Sequence, residues 1–337
     1  MWGLAVSMTL TFAEAMGPTL LYVGDWGGES DSQPTTAAQI TSATGMAKVA
    51  KELGAESILL LGDNFYLHGV PAIDSKRFEA TFEHVYSTDL FGGLPFRVIA
   101  GNHDHLGNVS AQMQYSGRDS RWSFPSLYYN LHYNWTTNSG GSRTAQIVMI
   151  DTPTLAGILH DFSGTPLHGL SETPDAAREW AWIEQQLSTS TADFLFVAGH
   201  YPIYSAGNDG TTRVLVEKLL PLLSRYGAHY ICGHDHLAQH IISDGVHQFQ
   251  NGMGMECCYG LNNIHTVPAG QVQYVISGKH ALGQHIGRKP PLVKGGFNSI
   301  AFEDDVAKIV YYKEDGVAIY TPPALPPRDL ESLEITV

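Results

Sequence analysis

The 337-residue sequence is poor in cysteine and in basic side chains, and each scarcity excludes something. Its three cysteines, Cys232, Cys257 and Cys258, are an odd number without the spacing of a zinc site, so we expect no disulfide framework. We expect Cys232 to be a buried thiol and the adjacent pair to be ordinary loop or strand residues. With 19 Lys and Arg against 33 Asp and Glu, the formal net charge is −14. Because no basic cluster is present, the composition argues against a nucleic-acid partner.

Long apolar runs are also scarce. Beyond the N-terminus, no run reaches the ~20 apolar residues that a membrane span needs. The first residues, from Trp2 to Phe12, are apolar and precede Ala13-Glu14-Ala15, which is typical of a secretory signal cleaved after Ala15. The usual basic start is missing, so an ordinary N-terminal segment is the alternative. We expect a signal peptide over residues 1–15 and a protein that is secreted or resides in a lysosomal or other endomembrane lumen.

Two N-x-S/T sequons fit this location. They are NVS at Asn108 and NWT at Asn134, although such triplets also arise by chance in a chain of this length. We therefore expect glycosylation at Asn108 and Asn134.

Apolar residues make up 43% of the chain and fall in strand-length runs separated by segments with helical spacing, which predicts an α/β fold. Helical stripes appear at Met46 to Leu53, which Gly54 ends, at Trp180 to Leu187, and at Leu215 to Leu222, where Pro221 must kink the helix or lie near its end. The strand-length runs are TLLYV (19–23), SILLL (57–61), FRVIA (96–100), AQIVMI (145–150), FLFVA (194–198) and AHYIC (228–232).

The residue pattern changes after about residue 270, where short runs of strand-forming residues alternate with turn residues. We expect these runs to form a second, largely antiparallel sheet packed on the first. Because no linker rich in Pro, Gly or Ser divides the chain, we expect one domain over residues 16–322. Residues 323–337 form a Pro-rich tail that we expect to be extended or disordered.

Five of the strand-length runs end in glycine followed by a metal-ligating residue type. In α/β folds ligand sites lie outside the carboxyl ends of strands, and glycine permits the sharp turn that directs the next side chain inward. One such turn would be weak evidence, since most are turns alone, but five converging ones predict a site. The segments are GDWGG (24–28), GDNFY (62–66), GNHDH (101–105), GHYPIYS (199–205) and GHDH (233–236).

The residue types in these segments indicate two metal ions. Carboxylate, amide and imidazole groups suit intermediate divalent and trivalent metals rather than a thiolate zinc site. The set is too large for one ion with an open position, whereas two ions bridged by a shared carboxylate, ~3.5–4 Å apart, use it fully. The candidates are Asp25, Asp63, Asn102, His200, His234 and His236.

Together these segments resemble the motifs of the metallophosphoesterases. Tyr66, three residues after Asp63, resembles the tyrosine of the purple acid phosphatases, and the stretch GNHDHLGNVSAQ is similar to the small, tartrate-resistant (type 5) members of that family. The resemblance extends from Leu20 to Leu237 and is weaker beyond. It implies an α/β/β/α sandwich of two mixed sheets flanked by helices, and an acid phosphatase that hydrolyses phosphate monoesters.

The resemblance also implies two metals. One is Fe(III), held by Asp25, Asp63, Tyr66 and His236, and the other, Fe(II) first and Zn(II) or Mn(II) as alternatives, is held by Asp63, Asn102, His200 and His234. Fe(III) and a divalent ion together carry five positive charges, and Asp25, Asp63 and the Tyr66 phenolate neutralise three of them. The site keeps a charge of about +2, so an acidic protein can still bind phosphate there. The reaction implied is attack by a metal-bound hydroxide on the phosphomonoester.

His103, beside Asn102, is our candidate for protonating the leaving group or positioning the phosphate, with a hydrogen bond to a ligand as the alternative. Relatives have a histidine in the loop after GHYPxxS, where this chain has Asn208 and Asp209. We take Asn208 and Asp209 as candidate substrate-positioning residues. Residues 159–176 match a loop that lies over the site in relatives.

Two other functions are consistent with the sequence. One is a phosphodiesterase or protein phosphatase of the wider superfamily, from which the Tyr66 ligand distinguishes this chain. The other is an iron-storing or redox protein. For the leading interpretation we expect a monomer that acts on a small phosphomonoester or a phosphoprotein.

Overall fold

The computed structural model describes residues 17–157, 173–276, 281–282 and 293–333. The expected signal peptide and residues 159–172 of the expected loop lie outside these ranges. None of the helices in the described ranges combines the length and the apolar composition needed to cross a membrane.

The described chain alternates strands and helices in its first two thirds and is mainly strands thereafter. The helices are α1 (Ala37–Leu53), α2 (Thr88–Phe91), α3 (Asn102–His105), α4 (Val109–Tyr115), α5 (Thr152–Ala156), α6 (Pro174–Ser188) and α7 (Leu220–Tyr226), with π-helical turns at Phe78–Glu83 and Leu215–Leu219 and a 3₁₀ turn at Ile264–Thr266. The strands are β1 (Thr19–Val23), β2 (Ser57–Leu61), β3 (Phe96–Ile99), β4 (Trp122–Ser123), β5 (Tyr129–Thr136), β6 (Ser142–Met149), β7 (Phe194–Ala198), β8 (His229–Cys232), β9 (Ala238–Ser243), β10 (Val246–Asn251), β11 (Val272–Ile276), β12 (Ala281–Leu282), β13 (Gly296–Phe302), β14 (Ala307–Lys313) and β15 (Ala318–Tyr320).

These strands form two mixed sheets. The first has seven strands in the order β15-β14-β13-β1-β2-β3-β4, and the second has eight in the order β12-β11-β9-β10-β8-β7-β6-β5. Strands β1 to β4 pair in parallel in the first sheet, as do β6, β7, β8 and β10 in the second, while the remaining pairs are antiparallel. The carboxyl ends of the central parallel strands therefore meet at one edge of each sheet.

Every residue of β1, β2 and β7 is buried, and alternate side chains enter different cores. In β1, Leu20 and Tyr22 belong to the core between the sheets, whereas Leu21 and Val23 pack outward against α1. In β7 the outward residues pack against α6 and α7. Strands buried on both faces read as continuous apolar runs, which explains why the sequence shows them so clearly. The layers are helix, sheet, sheet and helix, and the predicted sandwich is confirmed.

Local signals set the helix ends. The hydroxyl of Thr36 accepts a hydrogen bond from the backbone N–H of Gln39 at 3.0 Å and caps the start of α1. Gly54, with φ of 64°, ends α1 in the left-handed conformation, as predicted. Pro221 lies in the first turn of α7, where the preceding π-helical turn passes into the α-helix.

The prediction of a separate antiparallel sheet at the C-terminus is wrong. Strands β13, β14 and β15 extend the first sheet from β1, with Leu20 opposite Ile300, while β11 and β12 extend the second sheet from β9. Strand β13 forms the backbone hydrogen bonds at the free edge of β1. The two strands are far apart in sequence, and no local pattern predicts their pairing.

The chain after Pro322 is extended, as expected, but it packs on the domain. Leu325 exchanges two backbone hydrogen bonds with Ala307 and is 3% exposed. The guanidinium of Arg328 donates to the carbonyl oxygens of Ser190, Ala192 and Tyr226. The described part of this segment therefore contributes to the fold.

The cysteines follow the prediction in part. Cys232 is a buried free thiol, as predicted. Cys257 and Cys258 are joined in a disulfide between neighbouring residues, where we expected ordinary loop or strand residues.

Three histidines, His229, His240 and His247, lie together on strands β8, β9 and β10. His240 places Nδ1 2.9 Å from the hydroxyl of Tyr320 and Nε2 3.1 Å from Nδ1 of His247. The backbone N–H of His247 donates to Nδ1 of His229 at 3.2 Å. Burial, with a further contribution from the neighbouring imidazoles, lowers the pKa of His229 and His240 to about 3.

We predict that this cluster makes the fold acid-sensitive. An unfolded histidine has a pKa of about 6.5, so between about pH 6.5 and pH 3 the unfolded chain binds protons that the folded chain does not. The free energy of unfolding should therefore fall as pH falls below about 6.5. His240→Gln should flatten this dependence by up to about 1.4 kcal/mol per pH unit in urea unfolding between pH 7 and pH 5. His84→Gln, at an exposed site, is the control. Curves for His240→Gln and wild type that run parallel would contradict the prediction.

Candidate metal centre

The structure brings the seven candidate ligands together at the carboxyl ends of five strands. Each is at most 7% exposed, so the cluster lies below the protein surface. The first sheet contributes Asp25 after β1, Asp63 and Tyr66 after β2, and Asn102 after β3, while the second sheet contributes His200 after β7 and His234 and His236 after β8.

One group of ligands is centred on the Tyr66 hydroxyl. This oxygen lies 3.1 Å from Oδ1 of Asp25 and 3.0 Å from Nε2 of His236. The same imidazole nitrogen is 3.7 Å from Asp25 Oδ1. The other oxygen of Asp25 accepts a hydrogen bond from the backbone N–H of His234 at 2.7 Å, which fixes the carboxylate's orientation. A phenol, a carboxylate and an imidazole thus converge on one small volume.

A second group lies beside the first. Asp63, His200 and His234 each offer a ligand atom within 4.8 Å of the others. Nε2 of His200 lies 3.4 Å from Oδ2 of Asp63 and 3.0 Å from Oδ1 of Asn102. Its Nδ1 lies 2.8 Å from the carbonyl oxygen of Leu61, a contact that leaves Nε2 for the site.

The turns that present these ligands have unusual backbone conformations. Asp25, Asp63 and His234 have backbone φ angles of 59°, 52° and 78°, values that residues other than glycine rarely adopt. A Cβ on Gly101 would lie 2.2 Å from Asp63 Oδ1, and one on Gly233 would lie 2.6 Å from Asp25 Oδ2. Glycine is required at both positions because the neighbouring turn passes so close.

Burial and like charge make the carboxylates costly to ionise together. Burial raises the pKa of Asp25 to about 7, with the charge of Asp63 adding to the effect and nearby histidines opposing it. Burial also acts on Asp63, but His200 and His103 outweigh it and lower its pKa below the ordinary value. Burial, then Asp25 and Asp63, raise the pKa of Tyr66. A bound cation would favour the ionised forms of all three groups.

His103 lies at the edge of the cluster. Its backbone N–H donates to Asp63 Oδ1 at 3.0 Å, and its ring lies 4.5 Å from that of Tyr66, centroid to centroid. Nδ1 of His103 is 2.7 Å from the carbonyl oxygen of Leu67, and Nε2 is 3.9 Å from Asp63 Oδ2. The ring is therefore held by Nδ1 and presents Nε2 on the side of Asp63.

The loop that carries Asn208 and Asp209 is attached to Asp235, which lies between two of the histidines in GHDH. The Asp235 carboxylate accepts hydrogen bonds from the hydroxyl of Ser205 and from the backbone N–H of Asp209 at 2.9 Å. The side chain of Asn208 turns instead towards Asn262, whose Nδ2 donates to it at 2.9 Å. Of the two predicted positions, Asp209 is therefore the one whose backbone is held by Asp235, the residue between the candidate ligands His234 and His236.

Sequence reasoning missed a supporting carboxylate, Glu256. Its Oε1 lies 2.9 Å from Nδ1 of His236, and the ring of Tyr259 stacks on the same imidazole with centroids 4.4 Å apart. These contacts fix the ring so that Nε2 points towards Tyr66. Glu256 is 20 positions from His236, and no motif marks it.

Asp104, inside the GNHD motif, also acquires a role that the sequence did not assign. Its buried carboxylate accepts hydrogen bonds from the backbone N–H of Gly101 at 2.8 Å, from that of Asn64 at 3.0 Å, and from Nε2 of Gln112 at 2.8 Å. The first two donors lie beside the ligands Asn102 and Asp63. Asp104 therefore ties together the turns after β2 and β3.

A cavity of about 660 Å³ lies among the loops that follow the candidate ligands, although none of the seven ligands lines it. Three segments that follow ligand residues along the chain line it, and they include Asp31, Leu67, Leu106 and Asn108. Asn108 is exposed and its side chain caps α4, accepting from the backbone N–H of Ala111 at 3.0 Å. The second sequon residue, Asn134, is exposed on β5.

Comparisons with known proteins place the chain in a known family. The calcineurin-like phosphoesterase family model matches residues 18–238. Tartrate-resistant acid phosphatase type 5 from rabbit (Oryctolagus cuniculus) is 39% identical over 83% of this chain and 86% of its own length. The human protein of that name is 36% identical over 92% of each chain. Among solved structures, GAP50, the anchor in the inner membrane complex of Plasmodium, is 24% identical with a TM-score of 0.73, covering 94% of this chain and 91% of its own.

We predict that Asp104→Asn destabilises the protein by about 2 kcal/mol or more. The amide has one acceptor oxygen in place of two and directs its NH₂ at groups that are themselves donors, so buried N–H groups lose their partners. Urea unfolding of chelator-treated protein measures this cost without a contribution from bound metal. Asp329→Asn, at an exposed side chain, is the matched control and should change stability by less than about 0.5 kcal/mol. Equal effects of the two substitutions would refute the role of Asp104.

Proposed function

Because the chain belongs to the calcineurin-like phosphoesterase family and, within it, to the tartrate-resistant purple acid phosphatases, we propose that it hydrolyses phosphate monoesters at a binuclear centre of iron and a second metal. It is a hydrolase of the acid phosphatase class, and membership of the family implies a binuclear centre that contains iron. The observation that carries the finer proposal is that two buried ligand groups lie side by side, with Asp63 contributing, after burial and Asp25, to the raised pKa of Tyr66.

The donor set fits the metals. Nε2 of His234 is buried without a hydrogen-bond partner, and a ring nitrogen of this residue lies within 4.8 Å of ligand atoms of Asp63 and His200. An unsatisfied buried nitrogen of this kind is costly unless something binds it. A phenolate is a hard anionic ligand suited to Fe(III), whereas neutral amide and imidazole groups suit a divalent ion.

We assign the ligands accordingly. Asp25, Tyr66 and His236 would hold Fe(III), and Asn102, His200 and His234 would hold the second ion, with Fe(II) first and Zn(II) or Mn(II) as alternatives. Asp63 would bridge the two. When bound, these ions supply positive charge for the phosphate and lower the pKa of coordinated water.

The chain's own residues then orient the substrate and handle the proton. His103 is held through Nδ1 by the Leu67 carbonyl oxygen and presents Nε2 on the side of Asp63, and we propose that Nε2 gives a proton to the leaving-group oxygen. Asp209 is positioned by Asp235 next to the cluster, and we propose that it contributes to substrate positioning, with Asn208 secondary because its side chain contacts Asn262.

The wider setting is also a proposal. We infer a signal peptide over residues 1–15, secretion or residence in a lysosomal or endomembrane lumen, and glycosylation at Asn108 and Asn134. Both asparagines are exposed, as that modification requires. We infer a monomeric enzyme whose substrate is a small phosphomonoester or a phosphoprotein.

The purified protein should be pink to purple through charge transfer from the Tyr66 phenolate to Fe(III), and Tyr66→Phe should bleach it. The measurement is a visible spectrum together with iron per chain, so that loss of colour is separated from loss of metal. Tyr133→Phe, on β5, is a control that should keep the colour. A colourless, iron-free and fully active wild type would overturn the iron assignment.

Replacement of His103 should affect substrates unequally. An alkoxide leaving group needs a proton, whereas nitrophenolate departs readily without one. We expect His103→Ala to lower kcat/KM for an alkyl phosphate by about 10²-fold or more, and for p-nitrophenyl phosphate clearly less. Metal content must be unchanged for the comparison to hold. Equal losses on both substrates would show that His103 orients the phosphate without donating a proton.

A further inference from the structure

Arg77 is a buried arginine behind the candidate iron ligands. The residue is 5% exposed and lies just before the π-helical turn at Phe78–Glu83. Its guanidinium carbon lies 5.8 Å from the centroid of the Phe65 ring, next to Tyr66 in the chain. A buried guanidinium is costly unless its N–H groups form hydrogen bonds, so the acceptors of these bonds identify the parts of the chain that Arg77 holds in place.

The guanidinium contacts the backbone of both loops that carry the candidate iron ligands. Nη1 donates to the carbonyl oxygen of Tyr66 at 2.5 Å, and Nη2 donates to the carbonyl oxygen of Gly27, two residues after Asp25, at 2.6 Å. The same Gly27 oxygen accepts from the backbone N–H of Tyr66 at 3.2 Å, so the loops are joined twice at this point.

Two further contacts fix the guanidinium itself. Nε donates to the hydroxyl of Thr81 at 3.0 Å, and Thr81 in turn donates to the carbonyl oxygen of Pro34 at 2.8 Å. Nη1 also donates to Oδ1 of Asp31 at 2.9 Å, and Asp31 lines the neighbouring cavity with its side chain 88% exposed. Three separate segments therefore meet at one planar group.

We propose that Arg77 is a positioning residue that sets Tyr66 and Asp25 relative to each other for iron binding, an inference that rests on the proposed iron centre. The carbonyl contact is on Tyr66 itself, so any displacement of the guanidinium shifts the backbone that carries the phenol. Arrangements of this kind around metal ligands commonly change metal affinity by about 10- to 100-fold.

Arg77→Lys is the informative substitution. Lysine keeps the positive charge but has a single ammonium group that cannot span the Tyr66 and Gly27 carbonyl oxygens in the fixed plane of a guanidinium. The variant therefore separates geometry from charge.

Arg121 provides a matched control. It is 7% exposed, donates to a backbone carbonyl oxygen, that of Tyr86, and to the carboxylate of Asp119, and lies over an aromatic ring, that of Phe82, at 5.2 Å. It differs from Arg77 in contacting neither ligand loop. Arg121→Lys should therefore reproduce the loss of stability without an effect on iron.

The experiment compares wild type, Arg77→Lys, Arg121→Lys and Asp31→Asn. Iron per chain is measured after dialysis against increasing chelator, together with the wavelength of the visible band and the urea midpoint of the metal-free protein. We expect Arg77→Lys to release iron at a chelator concentration at least about tenfold lower than the wild type does, and to shift the wavelength of the visible band. Arg121→Lys should lower the urea midpoint about as much as Arg77→Lys does, but its iron retention and visible band should match those of the wild type. Asp31→Asn, at an exposed side chain, should fold normally and show a smaller shift in the direction of Arg77→Lys.

Each outcome decides the question. Iron retention and band position in Arg77→Lys equal to those in Arg121→Lys would show that Arg77 stabilises the fold without positioning the ligands. If Arg77→Lys does not fold, unchanged iron retention in Asp31→Asn overturns the proposal. A wild type without iron or a visible band would overturn the proposed iron centre and, with it, this role of Arg77. A purple wild type with an unaffected Arg77→Lys would overturn the positioning role alone.

Discussion

Asp25, Asp63 and the Tyr66 phenol occupy one buried volume, and holding these groups together is the constraint on which the rest of the structure depends. Like charges that are removed from water repel, and the pKa of Asp25, raised by burial to about 7, measures part of that cost. Such an arrangement persists only when contacts with the surrounding chain fix the position of each group. The positive φ angles at Asp25, Asp63 and His234 and the glycines that face them are the local form of that restraint.

The sandwich supplies the rigid frame for these turns. Strands β1, β2 and β7 are buried on both faces, so neither sheet can slip by one residue without moving apolar side chains into the wrong core. The ligands come from both sheets, and the packing between the sheets therefore sets the distance between His200 and Asp63 as much as the turns do. Asp104, Glu256 and Arg77 add a second layer that fixes backbone and ring orientations.

Local pattern was enough to predict strands β1, β2, β3, β6, β7 and β8 and the candidate ligands in the glycine turns, while Tyr66 came from the family resemblance. Strand β1 and strand β7 were predicted with their observed bounds, because a doubly buried strand is visible as an apolar run. The GD, GNH and GH segments were visible because ligand chemistry and glycine turns coincide in sequence. The pairing of β13 with β1 was not predictable in this way, since it joins residues almost 280 positions apart and depends on which sheet edge is open. Glu256 and Arg77 escaped for the same reason, because their contacts exist only in the folded chain.

The histidines show why residue type alone does not locate a site. Burial lowers the pKa of any imidazole, and at His229 and His240 the neighbouring imidazoles add to that effect, which brings the pKa to about 3. At His200 the same burial is outweighed by Asp63, and the pKa rises to about 9. The two environments lie in one sheet, on adjacent or nearby strands. The candidate ligand His234 behaves differently again, because burial and then His200 lower its pKa to about 3. Neither residue type nor the direction of a pKa shift therefore locates the site alone, and the glycine turns that bring the strand ends together are the more specific signal.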